Sequence, residues 1–144
     1  MENERILFEI RHLNKILDID FAKRLENYGL TPQQGRIILF VSDHYEKFEI
    51  NQQMLERLWR LSKSTVSGLI KRLVQKNLIL VIKEKKKHII KPTEEGLKIR
   101  DTFFENRKLV VNKLLQGLSN EQIEILSNNI NTMIKNIEKE ENEC

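Results

Sequence analysis

Cysteine occurs once in this chain of 144 residues, at Cys144, so no internal disulfide can form and the fold must rest on packing. The five glycines are scattered. No glycine-rich loop is present to cradle a phosphate, and neither a P-loop nor a dinucleotide fingerprint appears. With only two prolines besides, little material remains for long loops or low-complexity linkers, and there is no internal repeat. No apolar run approaches the roughly 18 residues of a membrane span. The opening MENERILFEI mixes charge into its apolar residues where a signal peptide would have an apolar core. The expectation is a cytoplasmic protein with no membrane partner. His12, His44 and His88 stand too far apart for metal-ligand spacing, so no metal is expected. Cys144, set among acids, is a poor candidate for oxidant sensing. No nucleophile has an adjacent base and no catalytic carboxylate pair stands out, which argues against an enzyme and against a cofactor.

What the chain does have is polarised charge. Hydrophobic content of 40% and charged content of 32% fit a folded, helix-rich protein. From Arg57 to Lys91 there are eleven Lys and Arg against one acid, Glu84. Of 25 basic and 21 acidic residues in all, 14 and 20 remain elsewhere, so a segment of +10 stands against a remainder of −6. The overall +4 conceals the electrostatic footprint of a polyanion binder.

Residues 4 to 27 read as one long helix, with Ile6, Ile10, Leu13, Leu17 and Phe21 at helical spacing and Leu7, Ile16 and Leu25 widening the stripe. Gly29 stops it. Thr31-Pro32-Gln33-Gln34 is a helix start with a cap, a proline in the first turn and a capping-box glutamine. The helix it opens should reach about His44 and bury Ile37, Ile38, Phe40 and Val41. Asn51 opens a third, whose buried face is Met54, Leu55, Leu58 and Trp59. After the turn Arg60-Leu61-Ser62, a fourth helix should end near Lys76-Asn77. Leu78 to Ile82 and His88 to Lys91 then read as two short strands, although KEKKK lacks the Asn-Gly or Asp-Gly of a strong hairpin turn. Thr93 starts a fifth helix, weakened at Gly96. Ser119-Asn120-Glu121-Gln122 starts a sixth, which Ile123, Leu126, Ile130, Met133, Ile134 and Ile137 carry toward a frayed acidic tail.

The fourth helix has the most telling surface. Val66, Leu69, Ile70 and Leu73 form its apolar stripe, as in any packed helix. The opposite face holds Ser64, Gly68, Lys71 and Gln75, flanked by Thr65, Ser67 and Arg72. Hydroxyls and cations can bond base edges or phosphates, and a glycine permits close approach, so this face suits the major groove of double-stranded DNA. Ser62, Lys63, Ser64, Thr65, Ser67, Gly68, Lys71 and Arg72 are its candidate contacts, Arg72 the strongest. Lys83, Lys85, Lys86 and Lys87 are the candidates for the minor groove or adjacent backbone.

The helix order, LTPQQGRIILF, the run LSKSTVSGLIKRLVQKNLI, PTEEG before the fifth helix and LSNEQIEIL at the sixth resemble MarR-type winged helix-turn-helix regulators over nearly the whole chain. The resemblance implies a mainly α fold with a small β wing. A winged-helix lobe at 31–92 would be flanked by long dimerisation helices at 1–30 and 93–144. It further implies a homodimer, most often a repressor on a pseudo-palindromic operator, released by a small aromatic effector, by oxidation or by a metal. An effector pocket would fall near Ile16, Phe40, His44 and Phe103. The flanking helices also bring more apolar surface than one small lobe can cover, for which a second subunit is the simplest outlet and an intrachain bundle the alternative.

One stretch departs from the family pattern. The usual wing tip has Asp-x-Arg, whereas Lys83-Glu84-Lys85-Lys86-Lys87-His88 has neither residue. Lysine lacks arginine's planar fork and is more strongly hydrated, so this wing is expected to add affinity more than sequence preference. Two other readings stay open. One is a ligand-independent virulence or stress regulator of the same type, and the other is a winged-helix module that binds protein and not DNA.

Overall fold

The computed structural model describes residues 2–143, with side chains described from 3 to 139. Cys144, and any sensing role for its thiol, lies outside the described residues. The elements run α1 (Glu2–Glu26), α2 (Pro32–His44), α3 (Gln52–Trp59), α4 (Lys63–Gln75), β1 (Ile79–Glu84), β2 (Lys87–Pro92), α5 (Glu94–Leu114) and α6 (Asn120–Glu143). The protein is mainly α with one antiparallel hairpin, as the sequence indicates. No helix among the described residues is long and apolar enough to cross a membrane. The chain divides into two compact units, residues 1–102 and 103–144.

In the first unit, local sequence sets the helix starts. Thr31 and Gln34 exchange both capping-box hydrogen bonds at 3.3 and 3.1 Å, leaving Pro32 to open α2. The Asn51 side chain accepts from the Met54 amide at 2.9 Å. α4 ends where Asn77 takes a positive φ of 59°, the stop that asparagine tolerates better than most residues. The core joins Leu25 of α1 to Ile37, Ile38 and Val41 of α2, Leu55 of α3, Val66 and Leu73 of α4, and Ile79 and Ile90 of the hairpin, all almost fully buried. Ile90 also donates its amide to the Ile50 carbonyl at 2.8 Å, which fastens the hairpin beside the start of α3.

Two expectations about buried faces are corrected. Only Leu55 of α3 is buried, while Met54 and Trp59 are half-buried and Leu58 is exposed, because an eight-residue helix turns a single narrow face to the core. Phe40 is likewise half-buried at the edge of α2.

Gly96, which looked like a weakness in the first turn of α5, is a packing requirement. A Cβ there would stand 2.4 Å from the Leu78 carbonyl oxygen and 2.8 Å from Ile38 Cδ1. Around it the Thr93 amide donates to Leu78 O (3.0 Å) and the Thr93 hydroxyl to Asn77 O (2.7 Å). The Arg100 guanidinium donates to the carbonyl of buried Ser42 at 3.1 Å. The start of α5 is thereby bonded both to α2 and to the end of α4.

The second unit holds the end of α5, a turn at Gly117 (φ 89°) and α6. Ser119 and Gln122 form the expected capping box, at 3.1 and 2.8 Å. α6 continues to Glu143 where a frayed tail was expected, since Glu and Lys are good helix formers. Its apolar residues Ile125, Leu126, Ile130, Met133, Ile134 and Ile137 are all exposed, Ile137 to 62%.

Candidate nucleic-acid interface

The surface is built on a short helix–turn–helix. α3 ends on Arg60 in the left-handed conformation (φ 51°, ψ 46°), and the Leu61 amide donates back to Glu56 O at 3.0 Å. A non-glycine residue there strains the backbone, but it closes the turn in two residues before the next cap. Ser62 is that cap. Its Oγ accepts from the Thr65 amide at 3.2 Å, and its hydroxyl donates to Thr65 Oγ1 at 2.8 Å. The Gln52 amide group donates to Lys63 O at 3.2 Å and ties the first turns of the two helices together.

α4 then separates its faces cleanly. Val66, Leu69, Ile70 and Leu73 are buried, while Lys63, Ser64, Thr65, Ser67, Gly68, Lys71, Arg72 and Gln75 are exposed. Every expected α4 contact is therefore on the outer surface, with Ser62 serving as cap at its edge. Gly68 stands in the middle, and a Cβ added there would meet nothing within 4 Å. Lys76 is one of the eleven cations counted in the basic segment. Its ammonium donates to Gly29 O at 2.9 Å, capping the end of α1, a long-range pairing that no local pattern reveals.

The hairpin register pairs Lys83 with His88 and Glu84 with Lys87, which leaves Lys85 and Lys86 as a two-residue tip. The tight turn that seemed to lack its residues forms because Lys85 adopts φ 56°. Lys83, Lys85, Lys86 and Lys87 are all exposed. The Lys87 ammonium lies 3.7 Å from Glu49 Oε2, an exposed pair that contributes little to stability.

Elsewhere in this unit the Phe40 and His44 rings lie 4.5 Å apart, and Phe40 meets Trp59 edge-on at 5.6 Å. Phe48 closes the cluster 5.6 Å from His44. His44 Nδ1 is 2.9 Å from the Phe40 carbonyl and donates to it. Next to them, the Tyr45 hydroxyl donates to Glu46 at 3.0 Å, and that bond raises its pKa above the usual tyrosine value. Ile16 is exposed on α1 and Phe103 begins the second unit, so of the four expected pocket residues only Phe40 and His44 are seen together. Cavities of about 270 and 400 Å³ have other linings, one between Phe48 and the hairpin and one beside Tyr28, Lys76 and Ile99. No group of three or more His, Cys, Asp or Glu that could hold a metal occurs among the described residues.

A capped helix with a polar, cationic outer face, preceded by a tight turn and followed by a basic hairpin, defines a winged helix-turn-helix protein. The model of the MarR family matches residues 28–85 of this chain. The fold is similar to Staphylococcus aureus MepR in complex with DNA, at 21% identity and a TM-score of 0.76, over 90% of this chain and 94% of that one. It is similar to the transcriptional regulator SlyA at 26% identity and a TM-score of 0.76, over 94% and 95% of the two chains. A MarR-family regulator from Listeria monocytogenes bound to a 26-mer DNA matches at 21% identity and a TM-score of 0.75, over 93% and 89%. No curated protein matches this chain in sequence.

Proposed function

We propose that the chain is a cytoplasmic, homodimeric transcription regulator that binds a pseudo-palindromic DNA operator, most simply as a repressor and not as an enzyme. The observation that carries this reading is the outer face of α4. Ser64, Thr65, Ser67, Gly68, Lys71 and Arg72 are exposed together on a helix whose other face is locked into the core. That is the arrangement a recognition helix needs in the major groove, with Lys and Arg for guanine or phosphate and hydroxyls for either.

Residues 31–92 would form the DNA-binding lobe, and 1–30 with 93–144 the dimerisation region. Support for a dimer comes from α1 and α6, where Ile6, Leu7, Ile10 and Leu13 and then Ile130, Ile134 and Ile137 lie exposed. Apolar surface of that extent marks an interface. Two lobes held about 34 Å apart would match half-sites one helical turn apart. The half-buried rings of Phe40 and His44, 4.5 Å apart, suit a flat, apolar effector.

The test is binding of the purified protein to a duplex from its own promoter region, beside a scrambled duplex, over a salt series. Much tighter promoter binding, with two subunits per site and a steep salt slope, upholds the reading. Equal binding to both indicates an architectural role, and no binding to either at low salt refutes DNA recognition.

A further inference from the structure

We infer that the wing is a sequence-blind phosphate clamp. Lys83, Lys85 and Lys86 supply affinity through charge, and discrimination among sequences is left to α4. The inference rests on the DNA-binding reading above and assigns the wing a distinct share of it.

Three features of the hairpin lead there. Its side chains from Lys83 to His88 include no hydroxyl, no amide and no arginine, and the minor groove beside which the wing would lie offers the remaining lysines a largely degenerate pattern of acceptors. Indeed no arginine occurs between Leu73 and Ile99, while Arg57, Arg60 and Arg72 sit on or beside the two helices of the motif. A lysine ammonium is a compact, strongly hydrated charge on a flexible stem, suited to any phosphate and poorly suited to a narrow minor groove.

The backbone gives the second feature. Lys85 holds φ 56° at the first tip position, where Gly or Asn would be less strained. A cation therefore stands where a turn residue would fold better.

The third is how the charges are distributed. Lys87 faces Glu84 across the hairpin and approaches Glu49, so part of its charge is neutralised within the chain. Lys83, Lys85 and Lys86 form no ion pair among the described residues. They therefore remain available to a polyanion at the end of the hairpin farthest from the core.

The full-length protein carrying Lys85→Asn and Lys86→Gln tests this, since asparagine tolerates the positive φ and the fold should persist. Wild type and variant are titrated onto the promoter duplex and the scrambled duplex across salt. Losing two phosphate contacts per subunit, four per bound dimer, should flatten the log–log salt slope by about 3.6 and weaken both duplexes by the same factor. The double variant Lys85→Arg, Lys86→Arg should restore affinity and add a preference for duplexes with an A-tract under the wing.

Wild-type protein that binds neither duplex would refute the DNA-binding reading itself, and the clamp with it. Suppose instead that wild type discriminates normally. A variant whose promoter-to-scrambled ratio falls about fivefold or more, the low end of a base-reading contact, then overturns the clamp alone. So does a variant that loses no affinity for either duplex.

Discussion

Replacing Gly68 with Ala should stabilise the protein and weaken its DNA binding. Gly68 lies within α4, five residues after its start, and its φ is not positive, so alanine fits the backbone. The new Cβ would meet no atom within 4 Å, so there is no packing to disturb. What remains is the intrinsic helix preference, which favours Ala over Gly by about 0.5–1 kcal/mol. For a chain of this length that is a rise of about 1–4 °C in melting temperature. A glycine that nothing in the fold requires, midway along a helix it weakens, points to something outside the chain. If the major groove approaches the backbone there, the added methyl should cost about 1–3 kcal/mol of promoter affinity, on the scale of a lost base contact. Urea melts and promoter titrations on the same preparation measure both halves. A destabilised variant would refute the open surroundings of position 68. A stabilised variant with unchanged promoter affinity would refute close approach of the duplex at this point.

The remaining expectations use other contacts. Gly96→Ala should destabilise the first unit by about 1–3 kcal/mol in a urea melt, because its Cβ cannot avoid the Leu78 carbonyl. Arg72→Ala should lose about 1–3 kcal/mol on the promoter duplex and relax the preference at one base pair, whereas equal losses on both duplexes would make it a phosphate contact. Ile130→Asp with Ile134→Glu should leave helical circular dichroism largely intact per chain but shift the protein from dimer to monomer in sedimentation. Each isoleucine contributes about 1.5–3 kcal/mol if a partner covers it, and an unchanged dimer would remove α6 from the interface.

Local chemistry accounts for the parts of the fold legible in the sequence. The caps at Thr31, Asn51, Ser62 and Ser119 each depend on residues three apart, so their side-chain bonds could be anticipated and formed as expected. The polar face of α4 was legible for the same reason, since one helical period places it opposite Val66 and Leu73. Features that depend on distant partners were not. Gly96 reads as a flaw until the Leu78 carbonyl is placed against it, and Lys76 reads as a free cation until Gly29 is placed beneath it. The bond from Arg100 to Ser42 spans 58 residues and has no sequence signature. The turn at Lys85–Lys86 was hidden for a different reason, because the residue that adopts positive φ is not one that favours it.

That last case belongs to a wider pattern. Arg60 and Lys85 occupy left-handed positions that glycine or asparagine would fill with less strain, and Gly68 occupies a helical position that alanine would fill better. All three are exposed and all three lie within the basic segment. A different departure marks α1 and α6, where large apolar side chains face outward: Phe8 is 72% exposed. Local and global preferences normally agree in a folded chain, and disagreement concentrates where function imposes its own demand. Here the disagreements fall into two chemical kinds. Cations and a missing side chain suit a charged groove, whereas apolar stripes suit another apolar surface. One partner could not satisfy both, so the strain in the lobe and the exposure of the helices argue separately for DNA and for a second subunit. The separation has a measurable consequence: the Gly68 variant should change duplex affinity with no effect on subunit dissociation. The Ile130 and Ile134 variant should abolish the dimer first, and lose duplex affinity only through the second half-site.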